Sequence, residues 1–87
     1  MNTIEATNLA RITLASLLGR QSETVSGCEK HENGWTVFVE VIETKARISD
    51  NDLIATYRID IDKTGEVAGY NRTRRYQRAH ASNVAAA

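Results

Sequence analysis

Two segments of this sequence alternate so regularly between two sets of side chains that they are predicted to be β-strands. In residues 35–43 the side chains that point one way are apolar, namely Trp35, Val37, Val39 and Val41. In residues 53–62 the same period places Leu53, Ala55, Tyr57, Ile59 and Ile61 together. Because successive side chains of a strand point to opposite faces, each segment offers one face to a core. We therefore expect a sheet with one buried face and a second face that is partly covered.

Turn signals add one strand on either side of this pair. Residues 25–31 have strand character, and the Asn-Gly of Glu32-Asn33-Gly34 suits the two left-handed positions of a type I′ hairpin. At the other end, Asp62-Lys63-Thr64-Gly65 predicts a turn into a long last strand, residues 66–78. The polar residues 44–51 form a longer connection between the two middle strands. The pattern predicts four strands, each paired with the next.

The N-terminal segment, residues 3–18, is predicted to form an amphipathic helix. Asn2 and Glu5 have the spacing of a capping box, and Gly19 stands where helices often end in a left-handed residue. Leu9, Ile12 and Leu17 lie near a helical repeat, and the apolar residues around them are Ile4, Ala6, Ala10 and Ala15. The fold class that follows is α+β, with this helix packed on a four-stranded antiparallel β-meander. Residues 1–78 are expected to form one domain and residues 79–87 a flexible tail.

Length and composition agree with one small globular domain. The chain has 87 residues, of which 41% are hydrophobic and 25% charged. Its longest apolar runs, such as Leu17-Leu18, are too short to cross a membrane, and no signal segment opens the sequence, so we expect a cytoplasmic protein. The single cysteine, Cys28, has no partner for an intramolecular disulfide and is expected to be a small strand residue.

Charge is distributed unevenly along the chain. The formal net charge is zero, but residues 1–62 hold six Lys/Arg against ten Asp/Glu, whereas residues 63–87 hold five against one. In the last strand, a spacing of two places Tyr70, Arg72, Arg74, Tyr76 and Arg78 on one face, with Asn71, Thr73 and Arg75 on the other. Arginine and tyrosine are enriched in binding hot spots, so we expect a partner-binding surface formed by Tyr70, Arg72, Arg74, Arg75, Tyr76 and Arg78.

Two other interpretations of this strand remain open. Arg72 and Arg74 could pair across strands with acids such as Asp60 or Glu40, in which case the tyrosines only cover the sheet. Arginines and aromatic rings on a sheet also suit single-stranded nucleic acid, although the near-neutral pI of 6.7 and the acidic remainder of the chain argue against it.

Patterns that carry catalysis or metal binding fail in this sequence. Asp60, Asp62, Thr64 and Gly65 resemble the start of a calcium loop, but Asn71 stands where that loop needs a glutamate, so a hairpin turn is expected instead. His31 and His80 are expected to be solvated side chains, and the serines lie in no nucleophile elbow. We therefore predict a non-enzymatic protein without a cofactor or a bound metal.

The order and spacing of the strand residues resemble one known family. The residues that carry the resemblance are Leu17-Leu18-Gly19-Arg20, Val25-Ser26-Gly27, Asn33-Gly34-Trp35, Val37, Val39-Glu40-Val41, Asp52, Ala55-Thr56-Tyr57, Asp62, Gly65-Glu66, Gly69-Tyr70, Arg72, Arg74-Arg75-Tyr76 and Arg78. Together they resemble the gas vesicle protein O (GvpO) family over nearly the whole predicted domain. The sequence departs from the family pattern at Ser49, where proline is common, and at Arg58, where an acidic residue is common.

The resemblance implies an accessory role in forming gas vesicles, the air-filled protein shells that give buoyancy. Proteins of this family are expected to act by binding other gas vesicle proteins, in assembly, in chaperoning or as a minor component. The resemblance implies no catalytic residues. The expected location is the cytoplasm, in association with gas vesicles. A regulatory or nucleic-acid-binding protein that uses the basic strand is the alternative, and pairing of edge strands into a homodimer is a further one.

Overall fold

The computed structural model describes residues 1–20 and 22–80 and has one α-helix and four β-strands. The helix α1 spans Thr3–Leu18. The strands are β1 (Ser22–His31), β2 (Gly34–Thr44), β3 (Leu53–Asp62) and β4 (Val67–Gln77), and two short 3-10 helices span Ser49–Asn51 and Arg78–His80. The second of these contains the first two residues of the predicted tail, and residues 81–87 lie outside the described residues.

The strands form one antiparallel sheet in the order β1-β2-β3-β4, which confirms the predicted α+β meander. The helix packs mainly on β1 and β2, on the face that we call the helix side of the sheet. That face carries the alternating apolar set of β2 and most of the set of β3, and its buried members are Trp35, Val37, Val39, Val41, Ala55, Ile59 and Ile61. The opposite face, the open side, is partly covered, with Thr36, Ile54 and Thr56 buried.

The helix begins and ends where the sequence predicts, but its buried stripe contains only part of the predicted apolar set. Asn2 and Glu5 form the capping box, and Gly19 has a left-handed φ of 64°. The buried side chains are those of Ala6, Ala10 and Leu14, which follow one another at intervals of four residues. Small alanine side chains let the helix backbone approach the sheet closely.

Two of the three larger side chains of the predicted repeat lie on the exposed surface of the helix. Ile12 and Leu17 are more than half exposed, as is Ile4, and Leu9 is half buried. The repeat of Leu9, Ile12 and Leu17 therefore did not identify the packed face, which is formed by Ala6, Ala10 and Leu14.

The first hairpin differs from the predicted type I′ turn. His31 pairs with Gly34, so the two loop residues are Glu32 and Asn33 rather than Asn33 and Gly34. None of the described non-glycine residues has a positive φ, whereas Gly34, at the start of β2, has a φ of 142°. Gly34 is also paired with Asp62 of β3, which leaves no room for a side chain. Gly34 is therefore required by the pairing of β2 with β3 and not by the conformation of the loop.

The second hairpin is closed by Asp62. Its carboxylate accepts hydrogen bonds from the hydroxyl and main-chain N–H of Thr64, at 2.6 and 3.0 Å, and from the N–H of Glu66, at 3.0 Å. These bonds, that from the Thr64 hydroxyl first, hold the pKa of the Asp62 carboxyl below its ordinary value. The segment that resembled the start of a calcium loop is a hydrogen-bonded turn.

Within residues 1–20 and 22–80, the helices are too short or too polar to cross a membrane.

Replacement of Gly34 by alanine should destabilise the fold strongly. A Cβ at this position would overlap the main-chain oxygen of Ile61, and the φ of 142° is strained for any L-residue with a side chain. We expect a loss of about 3 kcal/mol or more in the free energy of unfolding, measured by urea titration. The matched control is Gly69→Ala in β4, where no atom lies within 4 Å of the added Cβ. A Gly34 variant as stable as the Gly69 variant would contradict the register of β2 with β3.

Candidate partner-binding surface

A β-bulge at Thr73 divides the last strand into two parts. Before the bulge, Arg72 pairs with Tyr57 of β3, whose side chain packs against the core on the helix side. After it, Arg74 pairs with Thr56, whose side chain lies on the open side. The Thr73 hydroxyl donates a hydrogen bond to the main-chain oxygen of Thr56, 3.2 Å away. One extra residue in β4 thus exchanges the faces of all the residues that follow.

The predicted single face of the last strand is therefore wrong. The helix side carries Tyr70, Arg72 and Arg75, whereas the open side carries Arg74 and Tyr76. Arg78 lies beyond β4, in the second 3-10 helix. Residues 71–75 are all polar, so they contain no apolar alternation from which the extra residue could have been detected.

On the helix side, two arginines share one acidic residue of β2. The Glu43 carboxylate lies 2.6 Å from the Arg75 guanidinium and 3.4 Å from the Arg72 guanidinium. Arg20, just after the helix, donates a hydrogen bond to the main-chain oxygen of Glu43. The Glu43 side chain is only 12% exposed, whereas those of Arg72 and Arg75 are each 45% exposed. We call these four residues the Glu43 cluster.

Beside this cluster, two tyrosines lie on the half of the sheet that the helix leaves uncovered. The rings of Tyr57 and Tyr70 are 6.4 Å apart and tilted by 40°, a geometry in which aromatic pairs attract each other. Tyr57 is half buried against the core, and Tyr70 is 44% exposed. A planar apolar surface therefore adjoins the exposed guanidinium groups of the cluster.

On the open side, Glu40 organises a second group. It accepts a hydrogen bond from the Tyr76 hydroxyl, and its carboxylate lies 3.7 Å from the Arg74 guanidinium. Arg74 also donates to the Thr56 hydroxyl at 3.2 Å and stacks over the Tyr76 ring at 4.9 Å. Tyr76 is buried and covers the sheet, as expected if the arginines of the strand pair with acids on neighbouring strands.

Arg78 has a structural role at the end of the sheet. Its guanidinium donates to a carboxylate oxygen of Asp52 at 3.0 Å and to the main-chain oxygen of Ser49 at 2.9 Å. Its main-chain N–H donates to the main-chain oxygen of Asp52 at 2.9 Å. The buried Asp52 carboxylate also accepts from the N–H of Ala46 at 2.7 Å. These contacts tie the connection between β2 and β3 to the end of β4.

The open side also carries a hydrogen-bonded chain near the first hairpin. His31 Nε2 lies 2.7 Å from the Thr36 hydroxyl, which donates to Asp60 at 3.0 Å. Asp60 in turn pairs with Arg58 of the same strand at 3.1 Å. Among the described residues, no group of three or more His, Cys, Asp or Glu side chains is placed to hold a metal ion.

Cys28 lies on β1 and packs partly buried against the core, where burial raises the pKa of its thiol. This position matches the expectation of a small strand residue.

Three contributors to the surface were missed by the sequence reasoning. Tyr57 was assigned only to the core, although its ring also contacts Tyr70. Glu43 and Arg20 were not singled out as site residues, because only the fold brings Glu43 to Arg72 and Arg75 and Arg20 to the main chain of Glu43. The available signal was Glu43 itself, an acidic residue at the end of an apolar strand.

Replacement of Asp52 by asparagine should lower stability at neutral pH. The hydrogen bond from Ala46, followed by that from Arg78, holds the pKa of the Asp52 carboxyl below its ordinary value. A depressed folded-state pKa adds stability that is fully present above the unfolded value of about 3.9 and is lost as the pH falls through the folded value. In urea titrations the wild type should therefore exceed Asp52→Asn near neutral pH, and the difference should shrink below about pH 4.

The control for this prediction is Asp50→Asn, which alters an exposed carboxylate two residues away. Asp62 also titrates in this range, but it does so in every variant and cancels in the comparison. A constant difference between wild type and Asp52→Asn down to the acid limit would contradict the ion pair.

The double variant Arg72→Gln, Arg75→Gln should fold almost as stably as the wild type. Both guanidinium groups are nearly half exposed, and ion pairs of this kind contribute about 0.5 kcal/mol or less each. The change in the free energy of unfolding should therefore stay below about 1 kcal/mol in urea titrations. A larger loss of stability would mean that the ion pairs of Glu43 with Arg72 and Arg75 hold the fold together and do not merely position an exposed surface.

Comparison with known proteins confirms the resemblance seen in the strands. The sequence model of the family described as gas vesicle synthesis protein GvpO matches residues 1–82. The chain is 48% identical over 66 residues to gas vesicle protein O of Streptomyces sp. (strain CB03234), a match that covers 75% of this chain and 51% of that protein. It is 39% identical over 69 residues to gas vesicle protein O1 of Halobacterium salinarum, which covers 79% of this chain and 58% of that protein.

A third match, to gas vesicle protein O of Haloferax mediterranei, is 41% identical over 46 residues and covers 53% of this chain and 33% of that protein. The chain thus spans about half the length of the first two relatives. No solved structure matches it. Since the family model matches residues 1–82, which include all of the residues that the structure describes, the chain belongs to the gas vesicle synthesis protein GvpO family.

Proposed function

We propose that this protein is a non-enzymatic accessory protein in gas vesicle synthesis and acts by binding other gas vesicle proteins. The family and the names of its relatives support the process. The mechanism is supported by the half of the sheet face that α1 leaves uncovered. We place the protein in the cytoplasm, in association with forming vesicles.

The observation that carries the proposal is the exposure of Tyr70, Arg72 and Arg75 on one side of the last strand. Tyr70 is 44% exposed and the side chains of Arg72 and Arg75 are each 45% exposed, and all three lie on the sheet beside the helix. Tyrosine and arginine are the side chains that dominate the energetics of protein interfaces. They offer planar contact and hydrogen bonds, which suit binding rather than catalysis.

Nucleic acid fits this arrangement less well than protein. The bulge at Thr73 divides the arginines between two faces, so they do not form one continuous track for phosphates. Glu43 and Glu40 neutralise part of the charge on each face. Of the two tyrosines of β4 that could stack on bases, Tyr76 is buried.

Deletion of the gene in a gas-vesicle-forming host tests the proposal. We expect loss of flotation and of pressure-sensitive light scattering, both restored by the wild-type gene. An affinity-tagged copy, cross-linked in those cells, should recover other gas vesicle proteins. Unchanged flotation after deletion would contradict the role in synthesis. Restored flotation without any recovered gas vesicle protein would contradict the binding mechanism.

A further inference from the structure

The Glu43 cluster contains more positive than negative charge and more hydrogen-bond donors than acceptors. Arg20, Arg72 and Arg75 supply three positive charges, and the Glu43 carboxylate supplies one negative charge. Each guanidinium has five N–H donors, whereas a carboxylate accepts about four hydrogen bonds. The donors on the exposed parts of Arg72 and Arg75 are therefore able to bind a second carboxylate.

Glu43 also prepares this site for a ligand. Its side chain is largely buried and contacts Arg72 and Arg75 together, so it restrains two long side chains that would otherwise be mobile. Restraint before binding reduces the entropy lost on association. Arginine is suited to this role because its planar guanidinium can bind a carboxylate through two hydrogen bonds at once.

The Tyr57–Tyr70 pair supplies the apolar half of the same surface. Tyr57 is the direct cross-strand partner of Arg72, so the rings and the guanidinium groups are adjacent. The helix packs mainly on β1 and β2 and leaves this part of the helix side open. A partner segment that places a carboxylate on the arginines can therefore place an apolar side chain on the tyrosines.

We infer that the Glu43 cluster and the Tyr57–Tyr70 pair together bind an acidic segment of a protein partner, one that carries carboxylates next to aliphatic or aromatic side chains. This inference rests on the proposed function and names the chemistry of the partner. The segment lies across the face of β3 and β4. Addition to the free edge of β4 is disfavoured, because bulges at Ala68 and Thr73 interrupt its row of N–H and C=O groups.

The test uses the purified full chain and a fluorescent synthetic peptide rich in glutamate and leucine. The wild type should bind it, and Arg72→Gln, Arg75→Gln should weaken the affinity about tenfold or more. Tyr70→Ala should also weaken it, because the ring is exposed beside the cluster. A peptide with glutamine in place of glutamate should bind at least about tenfold more weakly than the acidic one.

The matched control variant is Arg58→Gln, Arg74→Gln. It also removes two positive charges, but from the open side, where both arginines are likewise ion-paired and nearly half exposed. Its affinity should stay within about twofold of the wild type, since general attraction at a distance is weak at physiological salt. Equal weakening by both double variants would overturn the site, as would the absence of peptide binding to the wild type.

Single-stranded DNA and RNA oligonucleotides of similar charge serve as a further probe. Tighter binding of these than of the acidic peptide, lost in Arg72→Gln, Arg75→Gln, would overturn the inference in favour of nucleic acid. Failure of this inference is distinguishable from failure of the proposed function. If Arg72→Gln, Arg75→Gln restores flotation in the deletion strain as well as the wild type does, the site is wrong although the role in gas vesicle synthesis stands.

Discussion

The β-bulge at Thr73 decides which charged side chains of this protein can act together. It reverses the faces of β4 between Arg72 and Arg74, and so brings Arg72 and Arg75 to one side of the sheet. Each side then has its own acidic residue of β2, with Glu43 on the helix side and Glu40 on the open side. In a strand without the bulge, Arg72 and Arg75 would lie on opposite faces of the sheet. The candidate surface exists because one residue was inserted into the ladder.

The second constraint is that a single helix covers only part of one face of a four-stranded sheet. The stripe of Ala6, Ala10 and Leu14 packs closely over β1 and β2, and the core continues beneath it to Ile59 and Ile61 of β3. Beyond that, the helix side is covered only by its own side chains, chiefly the Tyr57–Tyr70 pair. Because the helix contacts the sheet along one narrow stripe, Ile12 and Leu17 stay exposed on its surface.

Elements governed by local chemistry were predictable from the sequence, whereas those governed by contacts between distant residues were not. The capping box of Asn2 and Glu5, the left-handed Gly19 and the alternation of β2 and β3 depend on neighbouring residues, and all are present. Gly34 was assigned to a turn, because nothing nearby reveals that Ile61 crowds it. Polar stretches such as residues 71–75 carry no burial signal, so the bulge at Thr73 could not be foreseen.

The predicted partner-binding residues divide in the same way. Tyr70, Arg72 and Arg75 remain the candidate surface, and they gain Arg20, Glu43 and Tyr57 as neighbours. Arg74 and Tyr76 cover the open side, and Arg78 holds the connection after β2 through Asp52. The residue types led to the prediction of a binding surface, but only the fold separates the side chains that are exposed together from those that stabilise the sheet.

The most direct test of the central claim is site-specific photo-cross-linking in gas-vesicle-forming cells. A photoreactive amino acid placed at Tyr70, on the helix side, is compared with one at Asn71, which is exposed on the open side. The account predicts a cross-link from position 70 to an acidic segment of another gas vesicle protein and none of comparable yield from position 71. Equal cross-linking from both positions, or cross-linking from position 71 alone, would contradict it.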